Sequence, residues 1–294
     1  MVDLSIIIVS WNVESLLKKC LASIYQYTRG ITFELFVIDN ASTDSTCHAI
    51  SENFPQVKLI RNSKNLGFSA ANNQGLRQAQ ADYLLLLNPD TELKEDSLSQ
   101  MLQFMKNHQN CGISGCRLNN TDGTIQNSVR RFPGFIDQIC ILLKIHHLLP
   151  RLPSLRRYFA NDFDYRQEQT VDQVMGAFFL INRKLSDQIG LLDENFFVWF
   201  EEVDFCRRAK TAGWLVMYTP ITAITHHHAQ SFKQVMSVAK QKMWNKSLRF
   251  YFHKHAPLTQ YWLIACTAFI ALGITYLVNL IKLSSDATNK SKTI

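Results

Sequence analysis

The sequence predicts an α/β protein with a doubly wound, mostly parallel sheet and a hydrophobic C-terminal helix. First, residues 4–9, 33–38 and 83–87 are predominantly apolar runs, typical of strands buried on both faces. Second, the segments between these runs carry apolar residues at helical spacing, and alternating strands and helices favour parallel sheets with right-handed crossovers. Third, residues 261–281 contain no charged side chain.

The remaining elements follow from the same patterns. Residues 130–169 contain several prolines and a basic stretch, which favours a loop-rich insertion with one short helix. In chain order, the sequence predicts helices at 14–27, 45–53 and 68–80, a short strand at 57–60, the insertion helix around 136–149, a strand at 174–181, a helix at 203–212 and a strand at 215–218.

The uncharged stretch near the C-terminus has 21 residues, a length that can span a bilayer. It includes Thr, Asn and Gly, so its hydrophobicity is moderate. We expect a single transmembrane helix, with a helix lying on the membrane surface and a buried core helix as alternatives.

Composition limits the classes of function. The 294 residues are 47% hydrophobic with a net charge of +7, which supports a full core and favours anionic partners. No DNA- or RNA-binding motif is present, so we expect no nucleic-acid partner. The seven cysteines are scattered. Cys111 and Cys116 are the closest pair, but no second pair or nearby histidine completes a zinc site, so we expect reduced thiols. The first ten residues are predicted to be a strand rather than a signal peptide, because Asp3 stands where positive charge is required.

Polar side chains follow three of the predicted strands. They are Ser10, Trp11 and Asn12 after the first, Asp39 after the second, and Asn88 and Asp90 after the third. Ligands of doubly wound sheets bind beyond the carboxyl ends of the strands. The sequence therefore predicts a binding site at this edge.

Three of these residues have a structural alternative. Asp90 after a rigid proline can bind Mg²⁺ or Mn²⁺, although Asn-Pro-Asp is also an ordinary turn. Asp39 can accept hydrogen bonds from a ribose or a base, or it can cap the next helix. The indole of Trp11 can stack on a base or simply pack.

Three carboxylates, Glu201, Glu202 and Asp204, lie within four residues before a predicted helix. Their mutual repulsion should raise some of their pKa values, and one of them can deprotonate a hydroxyl. Acidic residues also favour the helix dipole without any further function. His226, His227 and His228 are candidate metal or phosphate ligands, and alternation on a strand would turn His227 away from the other two; a solvated loop is the alternative.

The loop at residues 61–75 completes the candidate site. Gly67 permits a tight turn, while Arg61 and Asn65 can line a sugar and its phosphates. Neither a P-loop nor a GxGxxG motif is present, which argues against kinases, ATPases and nicotinamide enzymes.

Seven stretches together resemble family 2 glycosyltransferases in order and spacing, over residues 3–252. The branch that the chain resembles is the rhamnosyltransferase-like one of O-antigen and related polysaccharide synthesis. The stretches are SIIIVSWN, VIDNASTDST, LIRNSKNLGFSAANNQG, LLLLNPDTEL, VMGAFFLINR, GLLDENFFVWFEEVDFCRRAKTAGW and ITHHHAQS.

The resemblance implies a GT-A fold, with a nucleotide-binding half at about 1–115, an acceptor half at about 116–255 and a membrane-associating tail at 256–294. It also implies direct displacement with inversion. Asp39 would contact the base beside Trp11. Asp90 would bind the metal, with Asn88 in the first acidic position of the motif. Glu202 stands where the family has an aspartate base, and Asp204 is the alternative base.

His226 matches the family's histidine after the acceptor strand, and His227 is the adjacent match; His228 and Ala229 replace a usual Gly-Gly. We therefore expect transfer of L-rhamnose from dTDP-rhamnose to a lipid-linked glycan at the cytoplasmic face of the inner membrane. The alternatives are a UDP-sugar donor, or a degenerate scaffold protein that binds a nucleotide sugar. A nucleotidyltransferase is disfavoured by the paired-acid and histidine stretches.

Overall fold

The computed structural model describes residues 2–227 and 234–291. Within them the strands are β1 (Leu4–Ser10), β2 (Phe33–Asp39), β3 (Lys58–Arg61), β4 (Tyr83–Leu87), β5 (Thr91–Leu93), β6 (Cys111–Asn119), β7 (Val129–Arg130), β8 (Gln169–Thr170), β9 (Gln173–Val174), β10 (Phe178–Asn182) and β11 (Leu215–His226). The helices are α1 (Glu14–Tyr27), α2 (Thr46–Asn53), α3 (Phe68–Gln78), α4 (Ser97–Asn107), α5 (Phe135–Leu142), α6 (Ile145–Leu148), α7 (Pro153–Tyr158), α8 (Arg183–Ile189), α9 (Glu201–Thr211), α10 (Ser237–His255) and α11 (Leu258–Ser291).

The main sheet has the strand order β3-β2-β1-β4-β10-β6-β11-β5, with β8 paired to β11, and β7 pairs with β9 separately. Strands β1, β2, β3, β4, β6 and β11 run in one direction, whereas β5, β8 and β10 run in the other. The predicted α/β class and the mostly parallel sheet are therefore confirmed.

The central strand β1 is buried along its whole length, and its side chains alternate between two core layers. Ile6 and Ile8 pack in the layer that includes α1 and α4, while Ile7 and Val9 pack in the layer that includes α3 and α9. A strand that is apolar at every position must be covered on both faces. The helices on both sides provide this cover and make the sheet doubly wound.

Three predicted elements differ from the structure. The strand predicted at 215–218 extends to His226 as β11. The insertion helix is broken into α5 and α6, because Lys144 adopts a left-handed backbone with φ of 61°. The strand predicted at 174–181 is interrupted: β9 belongs to the small sheet and β10 to the main sheet. The Met175 amide instead donates to the Ser128 carbonyl, and the Ala177 carbonyl accepts from the Asn88 amide. This break brings residues 175–177 beside the end of β4.

The last two helices form an antiparallel hairpin. The side-chain amide of Asn245 on α10 donates to the Ala268 carbonyl of α11 at 2.7 Å, and Ile264, Ala268 and Ala271 are buried in a cluster with α10. Leu258–Asn279 is long and apolar enough to cross a membrane, with a mean hydropathy of 1.9, and it is the one such helix among the described residues. Its outer side chains, including Trp262 and Phe269, are exposed, so a fully buried core helix is ruled out.

Gly67 lies where α3 meets the segment before α9. Its φ is +85°, and a Cβ there would stand 2.5 Å from the Phe197 carbonyl oxygen. That oxygen also accepts the Phe68 amide at 2.6 Å. Gly67 is therefore required both by its backbone conformation and by the close approach of a second segment.

We predict that Gly67→Ala destabilises the fold by about 2 kcal/mol more than Gly123→Ala, because the crowded backbone must move. Gly123 has the same φ of +85°, but a Cβ at that position would have no neighbouring atom within 4 Å. Its substitution therefore reports the conformational cost alone, about 1–2 kcal/mol. Urea unfolding of both variants measures the difference. Equal losses of unfolding free energy in the two variants would show that crowding against Phe197 adds no destabilisation.

Candidate active site

A cleft of about 220 Å³ opens at the carboxyl ends of β1, β2 and β4; we call it the strand-end cleft. The parallel register places Ser10 opposite Asp39 at the ends of β1 and β2; both are buried and are not among the residues that line the cleft. Strand β4 ends directly before Asn88. Among the residues predicted for the site, those that line the cleft are Trp11, Asn65, Gly67, Asn88 and Asp90.

Two buried polar atoms at these strand ends lack partners among the described residues. Asp39 is buried, and its Oδ2 accepts the Ser42 amide at 3.1 Å, while its Oδ1 and the Ser10 hydroxyl have no hydrogen-bond partner. Unsatisfied buried groups cost about 1–3 kcal/mol each, which a polar ligand can relieve. Asp39 does not cap α2, since Ser45 holds that position and Asp44 binds the Thr46 amide.

Asn40, the residue after Asp39, fixes the loop that leads to Gly67. Its side-chain oxygen accepts from the Leu66 amide at 3.0 Å. Its side-chain nitrogen donates to Asn65 Oδ1 at 2.9 Å. Asn65 therefore lines the cleft with its oxygen already bonded, and Asn40 is a cleft residue that the sequence analysis did not single out.

Two other predicted residues lie at the rim. Arg61 is exposed, and its guanidinium donates to the Ser51 hydroxyl at 2.8 Å. Asn12 has a positive φ of 52°, and its side-chain oxygen accepts the Thr43 amide at 2.7 Å. Asn12 thus shapes the loop after β2, next to Trp11.

Asp90 and His226 meet at one side of the strand-end cleft. His226 Nε2 lies 3.3 Å from Asp90 Oδ1 and 3.4 Å from the side-chain nitrogen of Asn88. The pairing of β11 with β5, which sets His226 opposite Thr91, brings them together. Carboxylate oxygen and imidazole nitrogen are suitable ligands for Mn²⁺. Within residues 2–227 and 234–291, no cluster of three or more His, Cys, Asp or Glu side chains is arranged to hold a metal.

Gln126 orients the His226 ring. The ring Nδ1 lies 2.7 Å from Gln126 Oε1, and Gln126 Nε2 donates to Asn120 Oδ1 at 2.9 Å. Because this second bond directs the amide oxygen to the imidazole, Nδ1 carries the proton in the neutral ring. The lone pair on Nε2 then faces Asp90, which is the tautomer that a metal ligand requires.

His227 has a different partner. Its Nε2 lies 2.8 Å from Glu92 Oε1, and its backbone amide donates to the Asp90 carbonyl. His228 and Ala229 lie outside the described residues. The two adjacent histidines are therefore associated with different carboxylates.

A second cavity of about 460 Å³ adjoins the cleft; we call it the acid cavity. Glu201, Glu202 and Arg130 are among its lining residues, and Phe68, Asn88 and Val198 line both spaces. α9 begins at Glu201 after two left-handed residues, Trp199 and Phe200, with φ of 63° and 71°. This turn directs the first carboxylates of the helix into the cavity.

The two glutamates have raised pKa values. Burial raises the pKa of Glu201, and the neighbouring Glu202 charge raises it further. Burial also raises the pKa of Glu202, although backbone amides at the helix start and the Arg130 charge partly offset this. The two carboxyl groups are buried side by side and titrate as a pair, with pKa values raised above the usual range of glutamate. One oxygen on each side chain lacks a hydrogen-bond partner among the described residues.

Asp204 points into an ion-pair cluster instead. It accepts from Arg208 at 2.8 Å, Lys254 at 2.9 Å and His255 at 2.6 Å. Burial opposes ionisation, but these three partners outweigh it and lower the pKa of Asp204 to about 2. The side chain holds α9 against α10, and it is not among the residues that line the acid cavity.

The family model for glycosyl transferase family 2 matches residues 5–190, more than half of the chain. The chain belongs to this family. The match covers the strand-end cleft up to Asp90 as well as Gln126, and it ends before α9. The resemblance noted from the sequence is thus confirmed.

Characterised relatives of this glycosyltransferase include an N-acetylglucosaminyl-diphospho-decaprenol L-rhamnosyltransferase of Mycobacterium tuberculosis, 28% identical over 243 residues and covering 78% of this chain and 77% of that protein. The rhamnosyltransferase WbbL of Escherichia coli is 26% identical over 239 residues, covering 77% and 85%. Both names support the rhamnosyltransferase-like branch.

Solved structures support the fold of the glycosyltransferase. A mannosyltransferase of Pyrobaculum calidifontis in complex with GDP-Man and Mn²⁺ superposes with a TM-score of 0.58 at 17% identity, covering 97% of this chain and 79% of that one. GalNAc-T7 with UDP, GalNAc and Mn²⁺ gives a TM-score of 0.57 at 16% identity, and this chain covers 44% of that chain. The predicted GT-A fold is therefore confirmed.

We predict that Gln126→Leu weakens Mn²⁺ binding by about 10- to 100-fold, since the His226 ring loses the acceptor that fixes its tautomer. Gln126→Glu keeps an acceptor at this position and should retain the affinity. Electron paramagnetic resonance of free Mn²⁺ in the presence of nucleoside diphosphate measures both. Unchanged affinity in Gln126→Leu would rule out this positioning role.

Proposed function

We propose that this chain is an inverting, metal-dependent rhamnosyltransferase. It transfers L-rhamnose from dTDP-rhamnose to a lipid-diphosphate-linked saccharide in cell-surface polysaccharide synthesis. The observation that carries the proposal is the shared wall of the strand-end cleft and the acid cavity. A donor in the first and an acceptor in the second meet beside Asn88, between Asp90 and Glu202.

The donor nucleotide occupies the strand-end cleft in this proposal. Asp39 Oδ1 and the Ser10 hydroxyl have no partners among the described residues. Asp39 Oδ1 accepts a hydrogen bond from the base or ribose, and the Ser10 hydroxyl donates one to the nucleoside. Trp11 stacks on the base. The loop with Asn65 and Gly67, which Asn40 holds in place by hydrogen bonds, lies next to the sugar and phosphates. The glycine allows close approach of the backbone there.

The diphosphate lies against Asp90 and His226. The Asp90 carboxylate suits Mg²⁺ or Mn²⁺, whereas the His226 nitrogen suits Mn²⁺ better than Mg²⁺. Either ion would neutralise the charge of the departing diphosphate. Two protein ligands leave positions for phosphate oxygens. The presence of Mn²⁺ in the two related structures supports this use of a divalent cation.

Glu202 acts as the base. Its carboxylate takes the proton of the acceptor hydroxyl as the oxygen of that hydroxyl bonds to the anomeric carbon. The bond from that carbon to the phosphate oxygen breaks, and the nucleoside diphosphate departs. Attack and departure on opposite faces invert the configuration, through a transition state with oxocarbenium character.

The acceptor half, at about residues 116–255, contributes Glu202, and the tail at 256–294 associates with the membrane. The exposed apolar side of α11 and the positive net charge support a position at the cytoplasmic face of the inner membrane. The lipid-linked acceptor in the name of the mycobacterial relative supports an acceptor of the same class.

We predict release of dTDP from dTDP-rhamnose with Mg²⁺ or Mn²⁺ present, and loss of this release with a chelator. A panel of dTDP-, UDP- and GDP-sugars, assayed for free nucleoside diphosphate, tests the donor. Asp90→Asn and His226→Ala should each reduce release by about 100-fold, or ~3 kcal/mol of barrier.

Glu92→Gln and His227→Ala form the matched control, because they remove the neighbouring acid–histidine pair. Both should retain most activity. An equal loss in His227→Ala would add that residue to the metal site. Release from a UDP-sugar alone would reassign the donor, and binding without release from any donor would favour a degenerate, sugar-nucleotide-binding protein.

We predict that Glu202→Gln lowers transfer at least 100-fold with an unchanged KM for the donor, because the general base is lost. Activity requires the carboxylate, so it rises with pH as Glu202 loses its proton. Since burial raises this pKa above 4.5, the acid limb of kcat/KM should lie above pH 4.5.

Glu201→Gln is the control for this experiment. The proposal assigns proton transfer to Glu202, so a neutral amide at position 201 should keep most of the turnover. Removing the neighbouring acid removes a charge that raises the pKa of the pair, so the acid limb should not move to higher pH. Substantial turnover by Glu202→Gln would instead assign the base to Glu201 or Asp204.

A further inference from the structure

The acid cavity adjoins a third space of about 560 Å³, which we call the basic cavity. Ile141, His146, Trp199 and Trp244 line both. The two indole rings lie 5.7 Å apart, centre to centre, at the junction. The residues shared by the two cavities therefore lie between Glu202 and the α10–α11 hairpin.

The lining of the basic cavity carries positive charge and no carboxylate. Lys144 and Lys240 face it, together with His146 and His147. Lys144 Nζ donates to Gln241 Oε1 at 3.0 Å, and within residues 2–227 and 234–291 neither lysine forms an ion pair. His146 Nδ1 is buried at the junction without a hydrogen-bond partner in the same part of the chain. The two lysine ammonium groups attract an anion. Burial lowers the pKa of His146, so this ring contributes hydrogen bonding rather than charge.

The far wall of the basic cavity is apolar. Ile274 and Val278 of α11 line it beside Thr275. The same helix exposes large apolar side chains along its outer side, Phe269, Ile270 and Leu277 among them. From the acid cavity to α11, the lining thus changes from carboxylates to ammonium groups and then to hydrocarbon side chains.

We propose that the acid cavity and the basic cavity together form an acceptor groove, in which the basic cavity binds the lipid diphosphate of the acceptor. The saccharide lies against Glu202 in the acid cavity, the diphosphate lies between Lys144 and Lys240, and the first isoprene units follow Ile274 and Val278. The inference rests on the proposed function for the identity of the sugar end. The spatial order of polar and apolar lining residues matches the order of the groups in a prenyl diphosphate, and the positive lysines match the negative charge of its diphosphate.

The opposite side of α10 provides an internal comparison. Lys242, Lys246 and Arg249 line a cavity of about 850 Å³ there. That cavity shares Phe197 with the strand-end cleft but no residue with the acid cavity. A ligand bound on that side would not reach Glu202 along the walls described, so its lysines serve as a matched control.

The test is isothermal titration of the full chain with farnesyl diphosphate in the presence of a chelator, which removes metal-dependent binding at the strand-end cleft. We expect the Lys144→Ala/Lys240→Ala variant to bind at least 10-fold more weakly than the wild type. The Lys242→Ala/Lys246→Ala variant should match the wild type. Lys240→Glu alone, at a half-exposed position, repeats the test without disturbing the bond from Lys144 to Gln241.

Two further ligands separate the parts of the groove. Farnesol should bind weakly and equally to all variants, and inorganic diphosphate should bind more weakly than farnesyl diphosphate. Equal affinity for inorganic and farnesyl diphosphate would overturn the lipid half of the proposal. Weakening in the Lys242→Ala/Lys246→Ala variant alone would overturn the location, and unchanged binding in every variant would overturn the site.

Donor turnover distinguishes this inference from the proposed function. Metal-dependent release of nucleoside diphosphate without acceptor should be the same in the wild type and in Lys144→Ala/Lys240→Ala. Release without farnesyl diphosphate binding would overturn the groove and leave the transferase assignment intact. Farnesyl diphosphate binding without release from any donor would overturn the transferase and leave a lipid-diphosphate site.

Discussion

The contact between the Phe68 amide and the Phe197 carbonyl joins the two halves of the candidate site. Phe68 begins α3, behind the strand-end cleft, and Phe197 precedes the turn that starts α9. Because Gly67 has no side chain, the two backbones approach closely enough for this bond at 2.6 Å. The contact thereby fixes the start of α9 beside the strand-end cleft, where Phe68 and Val198 line both this cleft and the acid cavity.

The three carboxylates at the start of α9 show how one turn of helix gives neighbours different chemistry. Glu201 and Glu202 enter a cavity with few compensating charges, so burial raises their pKa values. Asp204, two residues further on, faces Arg208, Lys254 and His255, which lower its pKa. Arg208 is one helical turn away in the sequence, whereas Lys254 and His255 belong to α10. Sequence spacing alone could not distinguish a candidate base from a residue that anchors the helix here.

The parts of the fold that the sequence predicted are those with a strong local pattern. β1, β2 and β4 are apolar runs, and α1 and α3 repeat apolar residues at helical spacing. β6 was not predicted, because its sequence CGISGCRLN has two glycines and few β-branched residues. α4 was also missed, although its buried positions Leu98, Met101, Leu102 and Met105 carry helical spacing. For the site, the strand ends were predictable from parallel topology, but Gln126 and Asn40 act through long-range hydrogen bonds that leave no local signal.

The α10–α11 hairpin gives the hydrophobic tail a structural role in the protein. α11 covers Leu248, Tyr251 and Phe252 of α10, and these side chains continue inward to Phe200 at the start of α9. A protein shortened to end after α10 would present this aromatic layer to water, beside the residues that carry Glu202. The tail is therefore part of the structure around the candidate active site as well as an exposed apolar surface. A truncation intended to make the protein soluble would expose the aromatic side chains of α10.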